Sequence, residues 1–164
     1  MQFNSKKIDI SKYIVYIIFV LCLIIFGIWL KGSFFSLSNL LNITRQAGAV
    51  SVMAIGMVFV IGLGHIDLSI GSVVALSSLI TAYILRDTGN PILAVIVAIG
   101  FGAIVGLFNG LCVTTIGMPA FLTTLGSQAI LTGIAMWISA TKAVPITHKG
   151  FLFWFGSGTI GQVP

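Results

Sequence analysis

The sequence predicts an all-α, polytopic membrane helix bundle, and three observations carry that expectation. Apolar residues make up 58% of the chain and charged residues only 7%, against roughly 45 to 50% apolar in soluble domains. The mean hydropathy is +1.17. The apolar residues also fall in long runs separated by short polar breaks, the pattern of membrane helices joined by turns rather than of a soluble core.

The elements follow in order. Lys6, Lys7 and Lys12 lie in a polar segment, residues 1–12, expected to form a cytoplasmic tail. An apolar run from Tyr13 to Leu30 comes next, about 27 Å long at the helical rise and therefore near the thickness of the hydrocarbon. It exceeds a signal-peptide core and no A-x-A-like cleavage site follows it, so it reads as a retained membrane helix, 13–30. Residues Lys31 to Gln46 mix Phe34, Phe35, Leu37, Leu40, Leu41 and Ile43 with Ser33, Ser36, Asn39, Asn42 and Arg45, and are expected to lie in the membrane interface.

A second and third helix, 47–63 and 70–86, flank the string Gly62-Leu63-Gly64-His65-Ile66-Asp67-Leu68-Ser69-Ile70-Gly71-Ser72. The apolar runs on either side, Ala47 to Ile61 and Val73 to Leu85, each fall short of the roughly 20 residues that span a bilayer. The expectation is a discontinuous pair of short helices meeting at Gly62–Ser72. Helix N-termini at such a break present free N–H groups and a partial positive charge, which suits polar solutes and helps hold a carboxylate.

Arg86-Asp87-Thr88-Gly89-Asn90-Pro91 has strong turn chemistry, and Pro91 opens a fourth helix, 91–110. There Ala94, Ala98, Gly102, Gly106 and Gly110 recur every fourth residue and are read as a helix-packing stripe of small side chains. Gly117-Met118-Pro119 breaks the chain before a fifth helix, 119–139. From 141 to 164 no helix period is visible, so a loop is expected, with Phe151, Phe153, Trp154 and Phe155 suited to an interfacial belt. About five membrane helices result. The lysines before the first helix favour a cytoplasmic amino terminus, although Lys31, Arg45, Arg86, Lys142 and Lys149 would then all lie outside.

Several function classes are disfavoured. A pI near 9.6 invites nucleic acid, but the basic residues are scattered singly except Lys6-Lys7 rather than gathered on one face. Cys22 and Cys112 sit in apolar segments and form neither a disulfide framework nor a zinc site. No G-x-x-x-x-G-K-[ST] string is present to cradle a nucleotide. An intramembrane enzyme built on Asp67 and His65 would need a nucleophile or metal set that Asp67, Asp87 and two histidines do not supply. No catalytic residue and no metal site is therefore assigned.

What remains is the polar break. An aspartate near the bilayer centre costs roughly 2.5 to 3.5 kcal/mol on insertion scales, so Asp67 needs partners or a wet cavity. Two readings stay open. Its carboxylate caps the following helix by accepting from the N–H of Ser69 or Ile70, or it contacts a solute along a pathway. His65, Ser69, Gly71, Ser72 and Asn109 are the other candidates for the pathway or the structural break. His65 and Asp67, two apart, do not face one another on a helix, so no dyad is implied.

Ala54-Ile55-Gly56-Met57-Val58 leading into Ile66-Asp67-Leu68-Ser69-Ile70-Gly71-Ser72, then Phe108-Asn109-Gly110 and Pro119-Ala120-Phe121-Leu122-Thr123-Thr124-Leu125-Gly126, resembles the ribose-type monosaccharide permeases of bacterial ABC importers. The resemblance covers nearly the whole chain, and the I-D-L-S-[IV]-G-S string is its most specific part. It implies a multi-pass protein of the bacterial inner membrane that forms the translocation pathway for a ribose-, xylose- or galactose-like sugar. The implied partners are a separate ABC ATPase that uses the ATP, an extracytoplasmic sugar-binding protein and a second permease copy, identical or not. The chain itself is expected to need no cofactor. Family members are roughly twice as long, so the chain is expected to be an amino-terminal half. Gly64-His65 replaces the usual Gly-Gly or Ser-Gly, and Thr114-Thr115-Ile116-Gly117 lacks the usual basic residue. A furanosyl-signal importer of the autoinducer-2 type and a truncated, non-transporting membrane protein are the alternatives.

Overall fold

The computed structural model describes residues 10–156. The tail expected at 1–12 lies mostly outside these residues, as does the end of the expected loop beyond 156. Six helices account for the described elements: α1 Ile10–Trp29, α2 Leu37–Gly62, α3 Ile70–Thr88, α4 Pro91–Thr114, α5 Ala120–Ser139 and α6 Lys149–Phe155. No strand occurs among the described residues. Four helices, α2 to α5, are long and apolar enough to cross a membrane, and α1 contributes a shorter apolar helix over Tyr13–Trp29. The protein is a polytopic helical membrane protein.

Two compact units divide at Gly48. In the first, α1 ends in a tight turn where Lys31 and Gly32 take positive φ, 43° and 87°, and aromatic side chains fill the turn. Phe26 stacks on Phe34 with ring centroids 6.0 Å apart, and Phe34 meets Phe35 edge-on at 5.0 Å. Gly27 lets the ring lie close, because a Cβ on it would sit 2.8 Å from the Phe35 ring and displace it.

The separate interfacial segment expected over 31–46 is corrected from residue 37 onward. Helix α2 begins at Leu37, ten residues before the expected start at 47, and runs unbroken to Gly62. The physical cause is a cap. The Ser36 hydroxyl accepts from Asn39 N–H at 3.3 Å, while Asn39 Nδ2 donates to the Phe34 carbonyl at 2.7 Å. Side chains that looked like an interfacial polar face thus serve the start of a membrane-length helix. With α2 at 26 residues and α3 at 19, the two helices around the break are not half-length, although the break stands where expected.

The second unit is organised by α3, α4 and α5, which pack on one another. Its apolar layer is Leu76, Val105 and Leu131, one residue from each helix, with Val73, Leu79, Ile80, Phe101 and Ala135 against them. Asn90 caps α4 by accepting from Ile92 N–H and Leu93 N–H at 3.0 and 3.1 Å, with Pro91 in the first turn as expected. Gly89, φ 64°, closes α3 by donating its N–H to the Leu85 carbonyl.

Only the first part of the small-residue stripe on α4 is covered among the described residues. Ala94 is fully buried, and Ala98 and Gly102 are half-buried, but Gly106 and Gly110 are exposed. A spacing of four advances about 40° per step around a helix of 3.6 residues per turn, so five such positions spread over roughly 160° rather than one line. The face that α4 buries instead passes from Ala94 to Val105, Asn109 and Cys112. The loop expected from 141 onward is also corrected, by α6. His148 Nδ1 accepts from Phe151 N–H at 3.1 Å to start that helix, and the rings of Phe151 and Phe155, one turn apart, stack at 4.9 Å. A helix of seven residues is too short to display a hydrophobic period.

Candidate functional site

Four of the polar residues that the sequence singled out, Asp67, Ser69, Ser72 and Asn109, converge at one end of the α3–α4–α5 unit. Helix α3 starts there, α4 ends there, and α5 starts there. The chain arrives through Gly62 and Leu63, turns at Gly64 with φ 78°, and passes His65 to Ser69 without regular secondary structure before α3 begins. That positive φ favours glycine, since a Cβ costs about 1 to 2 kcal/mol in the left-handed region.

Asp67 is half-buried, and its Oδ1 accepts twice from the same neighbour: from Ser69 N–H at 2.7 Å and from the Ser69 hydroxyl at 2.6 Å. The bond to Ser69 N–H is the one anticipated for a cap. The residue in the N-cap position is nevertheless Ser69 itself, so Asp67 braces the turn just before the helix. It is bound locally, as an Asx turn is.

From Ser69 the bonding continues into the other helices. Asn109 on α4 donates from Nδ2 to Ser69 Oγ at 3.1 Å, and Ser127 on α5 donates its hydroxyl to Asn109 Oδ1 at 2.5 Å. The direction of this chain is fixed from one end. The Ser69 hydroxyl gives its single hydrogen to Asp67, so its oxygen must accept from Asn109. The Asn109 amide nitrogen therefore faces Ser69 and its oxygen faces Ser127, which must donate. Ser69, Asn109 and Ser127 are 1%, 6% and 6% exposed. Hydrogen bonds aligned head to tail in a low-dielectric interior polarise one another.

A second tie lies beside the first. Thr124 Oγ1 accepts from Leu68 N–H at 3.1 Å, while its hydroxyl hydrogen has the Ala120 carbonyl at 2.9 Å and the Ile66 and Phe121 carbonyls at 3.3 Å. Ser72 donates back to the Ser69 carbonyl at 2.7 Å. Side chains thus meet four backbone groups of the non-helical segment, the Ile66 and Ser69 carbonyls and the Leu68 and Ser69 N–H groups, as membrane surroundings favour.

Of the residues expected at the site, Asp67, Ser69, Ser72 and Asn109 come together. Gly71 and His65 do not join them. Gly71 is exposed with nothing within 4 Å of where a Cβ would be. His65 is exposed and lines an open cleft of about 540 Å³ with Gly64, Ile66, Thr114, Met118 and Phe121 among its other walls. Asp67 makes its bonds to Ser69 rather than to His65. Thr124 and Ser127 were missed as site residues. The available signal was their spacing, since Thr123, Thr124 and Ser127 share one face of α5, and all three are buried. No group of His, Cys, Asp and Glu suited to a metal ion occurs among the described residues.

Fold and site together define a multi-pass helical membrane protein with an interrupted helix pair fastened by buried polar side chains. The chain belongs to the family described as branched-chain amino acid transport system / permease component, which matches residues 39–157. It is 36% identical over 140 residues to the ribose import permease protein RbsC of Escherichia coli K12, covering 82% of this chain and 43% of that protein. It is 31% identical over 164 residues to the xylose transport system permease protein XylH of Haemophilus influenzae, covering 99% and 43%. The fructose import permease protein FrcC of Rhizobium meliloti is 36% identical over 129 residues, covering 78% and 36%. The chain therefore spans less than half the length of these curated relatives. No solved structure matches it.

Proposed function

We propose that this chain forms part of the membrane-spanning permease subunit of an ABC importer for a monosaccharide. The observation that carries the reading is the similarity to permeases named for ribose, xylose and fructose, in a match that runs through the fastened break at 62–72 and both helices tied to it. In this reading the complete permease lines the pathway. A separate ATPase subunit uses the ATP, an extracytoplasmic binding protein delivers the sugar, and a second permease copy completes the channel. The assembly resides in the bacterial inner membrane. The permease does no covalent chemistry.

Within that machine the break has a definite physical task. A segment without helical hydrogen bonds is tolerated at membrane depth only where protein or water meets its backbone groups. Thr124, Asp67 and Ser72 meet three of them here, at Leu68 N–H, Ser69 N–H and the Ser69 carbonyl. The cleft beside the break, walled by Gly64, His65 and Ile66 on one side and by Val113, Thr114 and the 117–121 segment on the other, is the polar-edged space nearest to it.

The test is uptake by the intact system. The full-length gene product is co-purified with its ATPase, reconstituted into liposomes with the binding protein, and assayed with labelled ribose, xylose, galactose and fructose. ATP-dependent accumulation of at least one sugar is expected. An ATPase-bound complex that hydrolyses ATP yet accumulates none of them would overturn the reading.

A further inference from the structure

We propose that Ser127 is a positioning residue for transport: with Asn109 it fixes the register of α5 and α4 against the 66–69 segment, and it does so without touching the sugar. The inference rests on the transport reading above and goes beyond it, by giving a task to a residue that neither the motifs nor the relatives' names single out.

Three observations carry it. Ser127 is 6% exposed and spends its one hydroxyl hydrogen on Asn109 Oδ1, so neither its position nor its donor is free for a ligand. The amide it holds is the one that reaches Ser69 from α4, so the orientation of Asn109 depends on both hydroxyls. Moreover, Thr124 and Ser127 lie one turn apart on α5 and both lead to the break, the first directly at Leu68 N–H and the second through Asn109. A slide of α5 by one residue, about 1.5 Å, would break both ties at once, because hydrogen bonds weaken steeply beyond a few tenths of an ångström of stretch. The residues that line the neighbouring cleft include neither Ser127, Asn109 nor Ser69. The network therefore does not line that space.

The experiment is a double-mutant cycle on the full-length permease in its reconstituted complex, with Ser127→Ala, Asn109→Ala and the pair, and with Ser127→Thr as the conservative variant. Ser78→Ala is the control, since that hydroxyl is exposed and bonds only within its own helix. Interhelical hydrogen bonds in membranes are modest, so each single substitution is expected to lower maximal uptake and thermal resistance by an amount equivalent to about three- to tenfold. KM for the sugar is expected to stay unchanged, and the double variant to be no worse than the poorer single. Ser127→Thr and Ser78→Ala are expected to match the unsubstituted protein.

A rise in KM with Ser127→Ala would place the residue on the sugar and overturn the proposal, as would a double variant whose losses multiply. If Ser127→Ala fails to accumulate in the membrane, Ser127→Cys, which keeps a weaker donor, is carried through the same cycle. If the unsubstituted complex transports no sugar, the transport reading fails separately. The register is then judged by thermal resistance alone, where multiplied losses overturn it and non-multiplied losses uphold it.

Discussion

Replacing Asp67 separates two things a carboxylate can contribute, its geometry and its charge. Asp67→Ala removes the acceptor of both Ser69 bonds. Ser69 is 1% exposed, so its N–H has no water to turn to, and an unmet buried donor costs about 1 to 3 kcal/mol. The freed hydroxyl can rotate and recovers part of its loss, which puts the whole change at about 2 to 4 kcal/mol. Asp67→Asn keeps an oxygen in the Oδ1 position. Two charge-assisted bonds become neutral ones, a loss of about 1 kcal/mol each. Against this stands relief from placing a charge within the membrane, up to roughly 2.5 to 3.5 kcal/mol at the bilayer centre and less for a half-buried group. The asparagine variant should lie within about 1 kcal/mol of the parent; alanine loses the same charge and shares that relief, so the gap between the two is about 1 kcal/mol, or roughly fivefold in the folding equilibrium. Unfolding of the intact permease in mixed micelles, titrated with SDS and followed by tryptophan fluorescence and circular dichroism, reads this gap directly. Equal losses in the two variants would refute the geometric account and make the charge itself the requirement. An unaltered alanine variant would show that the turn stands without Asp67. Uptake by the asparagine variant adds the functional half: normal transport excludes a required carboxylate.

Three further substitutions test other parts of the structure. Asn90→Ala deletes the acceptor for two N–H groups at the start of α4, and the same micelle titration should register a loss of about 1 kcal/mol. Gly64→Ala forces a side chain into φ 78° at the entry to the break and should cost about 1 to 2 kcal/mol, whereas Gly71→Ala, with no positive φ and open space around it, should be neutral or slightly stabilising. Gly106 is exposed and has nothing within 4 Å of an added Cβ, so Gly106→Leu should leave the folding of the described helices unaffected. Loss of co-purifying partners in that variant would show that another backbone approaches α4 there, and unimpaired assembly would remove that face from the packing surface.

The helices were legible because their signals are additive over many residues. Pro91 and Asn90 marked the start of α4, and Gly89 the end of α3, through chemistry that works within a few residues. The two starts that were missed, at Leu37 and Lys149, each depend on one short-range acceptor, Ser36 Oγ or His148 Nδ1. In one case polar residues continuous with the helix resembled an interfacial face, and in the other no period had room to develop. At the site, Asp67 and Asn109 stood out as polar groups in apolar surroundings, but their partners did not. Asn109 and Ser127 are 18 residues apart and Ser69 and Asn109 are 40 apart, and nothing in a linear sequence orders a particular serine on one helix to face a particular amide on another. The α4 stripe drifts by about 40° per step at 3.6 residues per turn, so its two ends face different neighbours.

Among the described residues the buried set is divided evenly by kind: Leu76, Ala82, Leu85, Ala94, Val105, Cys112 and Leu131 on one side, and Ser69, Ser72, Thr81, Asn109, Thr123, Thr124 and Ser127 on the other. The large apolar side chains meanwhile face outward over much of the surface, from Ile96 and Ile104 to Phe108 and Trp137. Such an arrangement inverts the usual temperature logic of folding. Cohesion that rests on polar ties and close contact, with lipid already around the apolar groups, changes little apolar hydration when the helices separate. The heat capacity of that step should be small, and cooling should not loosen the bundle as it loosens a water-soluble core.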